Sequence, residues 1–393
     1  MDDDDRFGID LLTPLRRDPL GPSAVDVRRA VAKGERRQAT VRAAAAGVTV
    51  LAVLGGVWVV TERGGAEPGP APAASVPWGP PAPRACTPKQ LENPPKYPAI
   101  AQVQGGDPTG RYLIGLVAAG YDRDGHSGGG TYGWWEDGHW HDLDPQGRNP
   151  TDVNSRGVIV GTRPPTEFPD AGTAWVYKDG QVRDLVGAKA AAVGINDKGQ
   201  IVGYVGGSGV MWTVDDPNPV PLKVPAGYSG PARVGGIDED GTVAGGLKRD
   251  GHDVPVVWLP GGEVKPIDAV GGDEDVSAGA IRNGWVILSG TDRQMLWNLR
   301  TGGAPVEMDR SITTGPNASG WYVAQTSAAA ELVTPRGRVK LAQPAEAPVG
   351  PPGALASSKI QVHAISDDGS LIAGELPVTN QADHAIAYVW TCR

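Results

Sequence analysis

Residues 195–203 read Ile-Asn-Asp-Lys-Gly-Gln-Ile-Val-Gly: an apolar residue, an Asn/Asp turn that ends on Gly, then a short run to a second Gly. The pattern returns as DPTGRYLIG from Asp107, VNSRGVIVG from Val153, IDEDGTVAG from Ile237 and ISDDGSLIAG from Ile365. Looser copies are IRNGWVILSG from Ile281 and NASGWYVA from Asn317. The turn glycines Gly110, Gly157, Gly199, Gly241, Gly284, Gly320 and Gly369 lie 47, 42, 42, 43, 36 and 49 residues apart. Self-similarity at such a period marks a repeat architecture. Gly tolerates the positive φ of a tight turn, so each copy reads as two strands joined by a hairpin.

A third strand-like run follows each hairpin and carries a large aromatic. Aligning YGWWEDG, AWVYKDG, GVMWTV, PVVWLPGG, QMLWNL and AYVWTC puts Trp135, Tyr177, Trp212, Trp258, Trp297 and Trp390 at one position, read as packing between repeats. The sixth copy has Val333 there. A fourth run ends near Asp144, Asp184, Leu222, Ile267 and Leu341. Four short strands per copy describe a propeller blade, and seven copies describe a closed ring. A helical repeat is excluded, because these windows hold two or three glycines and each costs about 1 kcal/mol inside a helix. The expected fold is all-β, a seven-bladed β-propeller over residues 86–393.

The seventh copy stops after its third run. The missing strand is expected at the other end of the repeat region, at Lys89–Glu92, paired beside Tyr388–Cys392 so that one blade is built from two distant segments. Aligned on the second repeat, Cys392 falls opposite Asp179 and Cys86 opposite Gly180, at the hairpin tip where no peptide connects the strands. A Cys86–Cys392 disulfide would supply that connection and requires an oxidising compartment.

Ahead of the repeats, Ala43–Val60 (AAAAGVTVLAVLGGVWVV) has Thr49 as its only polar side chain and spans roughly 27 Å as a helix, close to the hydrocarbon thickness of a bilayer. Six basic residues and one acid lie between Arg28 and Arg42, whereas 27 basic and 37 acidic residues follow Thr61. That asymmetry orients a retained, single-pass signal-anchor with its N-terminus cytoplasmic. The expected organisation is a largely disordered cytoplasmic tail (1–42), a transmembrane helix (43–61), a Pro/Ala/Gly linker (62–85) and the extracellular propeller. The bilayer is then a partner through one helix. The chain holds 57 Gly and 36 Pro, about a quarter of its 393 residues and twice the usual share, which suits turns and a stalk rather than helices. A net charge of −9 argues against nucleic acid as a partner.

INDKGQIVGY, IDEDGTVAGG and ISDDGSLIAGE, each followed by an aromatic strand, resemble the HAF-type extracellular repeat of bacterial exported proteins, with the pattern Ile-Asn-Asp-x-Gly-x-x-x-Gly. The first, fifth and sixth copies depart from it. The resemblance implies a propeller outside the cell and no common reaction. The Ala/Gly/Arg-rich composition and anchored layout are similar to membrane proteins of high-GC actinobacteria.

Local chemistry is sparse. DRDG from Asp122, NDKG from Asn196, DEDG from Asp238 and SDDG from Ser366 could be calcium loops, but they lack the longer loop with a closing Glu and serve as turns without an ion. His139 and His141 flank Trp140 and would share a strand face, a metal pair without a third ligand. No nucleophile elbow, phosphate loop or dinucleotide fingerprint is present. No cofactor, metal site or catalytic residue is expected. The function expected is non-catalytic binding, sensing or scaffolding at the cell envelope, with an envelope protein or glycan as ligand. Its rim would be Gly120–Thr131, Arg163–Thr173 and Lys248–Val254. The alternative is a propeller lyase or hydrolase using three or more Asp, Glu or His side chains gathered at the axis.

Overall fold

The computed structural model describes residues 80–97, 100–119, 129–143, 148–164, 172–268, 275–309, 314–325, 329–344, 360–378 and 384–393. The chain divides into two units, Met1–Ala74 and Ser75–Arg393, and all described residues belong to the second. The expected tail (1–42), membrane helix (43–61) and most of the linker lie outside the described residues. Among the described residues no helix is long and apolar enough to cross a membrane.

The second unit consists of seven antiparallel sheets, so the expected all-β seven-bladed propeller is the fold observed. Blades 1 to 6 run in chain order over residues 100–142, 149–184, 190–221, 229–266, 277–308 and 322–340. Blade 3 shows the plan: Ala190–Ile195 is innermost, followed outward by Gln200–Val205, Ser208–Thr213 and Val220–Pro221. Blade 6 has three strands among the described residues. Blade 7 combines Gln361–Ile365, Leu371–Val378 and His384–Cys392 with Cys86–Gln90 from the other end of the unit. The closing strand therefore begins three residues earlier than Lys89, its expected start, and ends at Gln90. Leu91 lies just past it with a buried side chain, and its amide still donates to Ala387 O (3.0 Å). Leu143, Leu185, Leu222, Ile267 and Leu341 repeat this amide contact just beyond the other fourth strands.

Cys86 faces Cys392 in the ladder, and the two form a disulfide with a Cα separation of 4.0 Å across 306 residues of chain.

The two glycines of the motif answer different constraints. The first closes the hairpin, with φ between 68° and 100° at all seven positions. The second, at Gly115, Gly161, Gly203, Gly245 and Gly374, lies opposite the residue before a β-bulge in the inner strand. A Cβ there would approach a carbonyl oxygen of that strand to between 1.9 and 2.2 Å, which only Gly avoids.

Apolar burial is divided into seven clusters, one at each seam between neighbouring blades. The seam between blades 6 and 7 joins Val323 and Leu332 to Ile372, Trp390 and both cysteines. The one between blades 7 and 1 joins Ala373 and Ala387 to Val103, Leu113 and Trp135.

Replacing both cysteines by Ser removes the cross-link from a loop of about 300 residues and should cost roughly 3 to 5 kcal/mol of stability. Denaturant titration of the oxidised chain and the double variant measures the difference. Coincident midpoints would contradict a closing role for the disulfide.

Candidate functional site

At six of the seven hairpins of the motif a polar residue is withdrawn from water. Asp107, Asn154, Asn196, Asp238, Asn317 and Ser366, the first residues of six turns, are all at most 1 % exposed. Burying an amide or carboxylate is tolerable only when its polar atoms are paired. Asn196 shows how: its Oδ1 accepts the amides of Lys198 and Gln200 (3.1 and 3.0 Å), while its Nδ2 donates to Asp238 O in the next blade (3.1 Å). Asn154 does the same toward Asn196 O and Asn317 toward Ser366 O, each at 3.1 Å. A second layer runs alongside, with Ser155 N donating to Asp197 Oδ1, Asp197 N to Glu239 Oε2 and Ala318 N to Asp367 Oδ1. The amide of Asp367 reaches Pro108 O across the closing seam (2.7 Å). The turns thus form a belt of hydrogen bonds that ties the hairpins of blades 2 to 3, 3 to 4, 6 to 7 and 7 to 1.

Blade 5 breaks the belt. Its turn is one residue shorter, a two-residue hairpin at Asn283 and Gly284 with both φ positive. The buried carboxylate of Asp238 takes up the displaced amides, accepting Asn283 N (2.8 Å) and Gly284 N (2.7 Å). Arg282, where other copies have Asn, Asp or Ser, extends over the axial channel instead. Its Nε and Nη2 bind Asp367 of blade 7 (2.8 and 2.6 Å), and its Nη1 binds Glu239 of blade 4 (2.5 Å). Burial alone would lower the pKa of this guanidinium, but its hydrogen bonds and charge pairing with Asp367 and Glu239 outweigh that and hold it above its ordinary value.

Beside this bridge lies a cavity of about 270 Å3, lined by residues of blades 1 to 5 and 7 and by Thr314, Gly315 and Pro316, which lead into blade 6. The inner-strand bulges supply much of its polar lining: the extra residues are Gln104, Thr151 and His363 in blades 1, 2 and 7. A bulge shifts side-chain parity, so these residues line the channel instead of a seam. Asp152 also lines the cavity, its oxygens accepting Val153 N (2.9 Å) and Ile195 N (2.8 Å). Loss of hydration pushes its pKa up to about 7, against the downward pull of those amides and of Arg282, while Glu239 adds to the rise. His363 Nε2 has no hydrogen-bond partner and lies 3.7 Å from buried Glu375, whose other oxygen accepts Val103 N (3.0 Å).

The aligned aromatics occupy one register position. The pairs are Leu113 with Trp135, Ile159 with Tyr177, Ile201 with Trp212, Val243 with Trp258, Val286 with Trp297 and Ile372 with Trp390, and Tyr322 with Val333 in blade 6. Trp135, Trp212, Trp258 and Trp390 are buried, and their indole N–H groups donate to Glu92, Val186, Lys223 and Ala342 O of the preceding blade's trailing segment. Two positions differ. Tyr177 is half-buried while Trp175, two residues earlier, fills that seam beside Gly161, and half-buried Trp297 donates to Gly303 O within its own blade.

His139 pairs with Glu92 (2.9 Å) and His141 stacks on Trp134, so the two are engaged separately. Among the described residues no group of three or more His, Cys, Asp or Glu could hold a metal. Much of the expected rim, 120–128 and 165–171, lies outside the described residues. Lys248–Val254 is a correction: it is no long loop but a tight hairpin at Asp250 and Gly251, continuous with its strands.

Fold and site together define a closed propeller whose axial channel is bridged by one arginine. No family model matches the chain, and no curated protein matches it in sequence. Among solved structures it is similar to TolB from Acinetobacter baumannii, at 12 % identity and a TM-score of 0.37, over 60 % of this chain. The chain spans 63 % of the length of that structure. The seven-blade architecture rests on the strand pairing described above.

Arg282→Met leaves Glu239 and Asp367 partly buried without their cation, which should cost about 3 to 5 kcal/mol. Adding Glu239→Gln and Asp367→Asn should recover part of that loss. Thermal unfolding of the single and triple variants reads both effects, and a single variant as stable as the parent would contradict the bridge.

Proposed function

We propose that the chain is a membrane-anchored, extracytoplasmic propeller that acts as a non-catalytic binding, sensing or scaffolding module at the cell envelope, with an envelope protein or glycan as ligand. The observation that carries this reading is the Cys86–Cys392 disulfide, which closes the ring and belongs to an oxidising compartment. The apolar Ala43–Val60 segment with its basic flank supports anchoring with the N-terminus inside, and the resemblance to HAF-type repeats supports the same side of the membrane. The rim segments 120–131 and 163–173 are the proposed contact surface. The carboxylates of Glu239 and Asp367 near the axis are occupied by Arg282, which favours binding over catalysis.

A lyase or hydrolase centred on the channel is the second reading. It is favoured by one observation, an Asp152 carboxyl that exchanges its proton near neutral pH inside a cavity.

Protease added to intact cells should release the propeller and leave the tail before Ala43 protected. The released domain should retain an envelope component in its oxidised form and lose it after reduction and unfolding. A propeller protected in intact cells and cleaved only after lysis would overturn the location, and retention independent of folding would overturn the binding role.

A further inference from the structure

Among the described residues, Asp152 of blade 2, Glu239 of blade 4 and Asp367 of blade 7 lie around the turn end of the channel, with Arg282 of blade 5 as the cation between the last two. Glu239 and Asp367 are both within 2.6 Å of that guanidinium, whereas Asp152 makes no ion pair among the described residues. Each Asp152 oxygen accepts a single backbone amide, and a carboxylate offers about four acceptor positions, so roughly two remain open. Beside it is the 270 Å3 cavity, with Gln104, Thr151 and Thr314 as neutral polar lining. Also on that side among the described residues are His363, whose Nε2 lacks a hydrogen-bond partner, Glu375 behind it, and Asp197, whose Oδ1 accepts Ser155 N.

We propose that this cavity binds a compact organic cation, a primary alkylammonium or guanidinium group, against the carboxylate of Asp152. The inference deepens the binding-module reading and rests on it only in treating the channel as a ligand site rather than a reaction centre. Its polar lining suits a hydrogen-bonding head group. Arg282 already shows that a guanidinium is accommodated between carboxylates here. A metal ion fits less well, because no three ligating side chains converge among the described residues. Asp152 holds a proton up to about pH 7 when unpaired, so an incoming cation takes the place of that proton. Binding therefore strengthens as pH rises through 7 and releases a proton. Glu239 and Asp367 stay engaged with Arg282.

The test is calorimetric titration of the full chain in detergent micelles with n-butylammonium and with methylguanidinium, at fixed ionic strength and at pH 6, 7 and 8. n-Butanol and butyrate serve as neutral and anionic controls of matched size. At least one cation should bind saturably at one site, about tenfold more tightly at pH 8 than at pH 6, with proton release, while the controls do not bind. Asp152→Asn should weaken binding at pH 8 at least tenfold and flatten the pH dependence. If that variant does not fold, the charge selectivity and pH dependence of the parent decide alone. Absence of saturable binding by both cations, equal binding of butanol, or unchanged affinity in a folded Asp152→Asn variant would overturn the proposal. Such failure leaves retention of an envelope component by the rim untouched, so the two readings fail separately.

Discussion

Seven blades have seven seams only when the ring is closed. No blade of this protein carries a core of its own: apolar side chains are buried between sheets, in one cluster per seam. A sheet missing one neighbour would leave an apolar face in water, at about 25 cal/mol per Å2 exposed. Closure therefore decides whether the other blades are stable. It is achieved by pairing Cys86–Gln90 with His384–Cys392, by the disulfide at the end of that pairing, and by the indole of Trp390 bound to Ala342 O across the preceding seam.

Closure brings seven hairpins together around a narrow axis, where backbone groups compete for partners and water is scarce. The buried Asn and Asp residues resolve that crowding. Each side chain replaces water for the amides of its own turn, and the asparagines Asn154, Asn196 and Asn317 use the remaining N–H to hold the next blade. Asp238 lacks that N–H, so the contact runs in the other direction, with amides of blade 5 donating to its carboxylate. The shorter turn of blade 5 also frees Arg282 to bridge blades that are not adjacent. The channel is thereby narrowed on its turn side, while the bulges supply the remaining polar lining.

The period, hairpins, register of the aromatics and displaced closing strand were all legible in the sequence, because spacing and side-chain class carry them. The channel was not. Gln104, Thr151 and His363 face it only because a bulge adds one residue to the strand, a shift invisible to a pattern of alternating polarity. Arg282 left a trace in the shortened IRNG turn of the fifth copy, but its partner Asp367 lies 85 residues away and meets it only across the ring. Asp152 reads as an ordinary strand-end acid until the cavity around it is known. Trp175 stays hidden in the turn alignment, which selects Tyr177, although the same seam is filled from two residues earlier.

The central claim is that the belt of buried turn residues couples the blades into one cooperative ring. Hydrogen exchange on Asn196→Ala tests it directly. Loss of the contacts to Lys198 N, Gln200 N and Asp238 O should lower stability by about 1 to 3 kcal/mol, with protection falling to a similar extent in all seven blades. Protection lost only in the hairpin around residues 196–200, with the other blades unchanged, would contradict that claim.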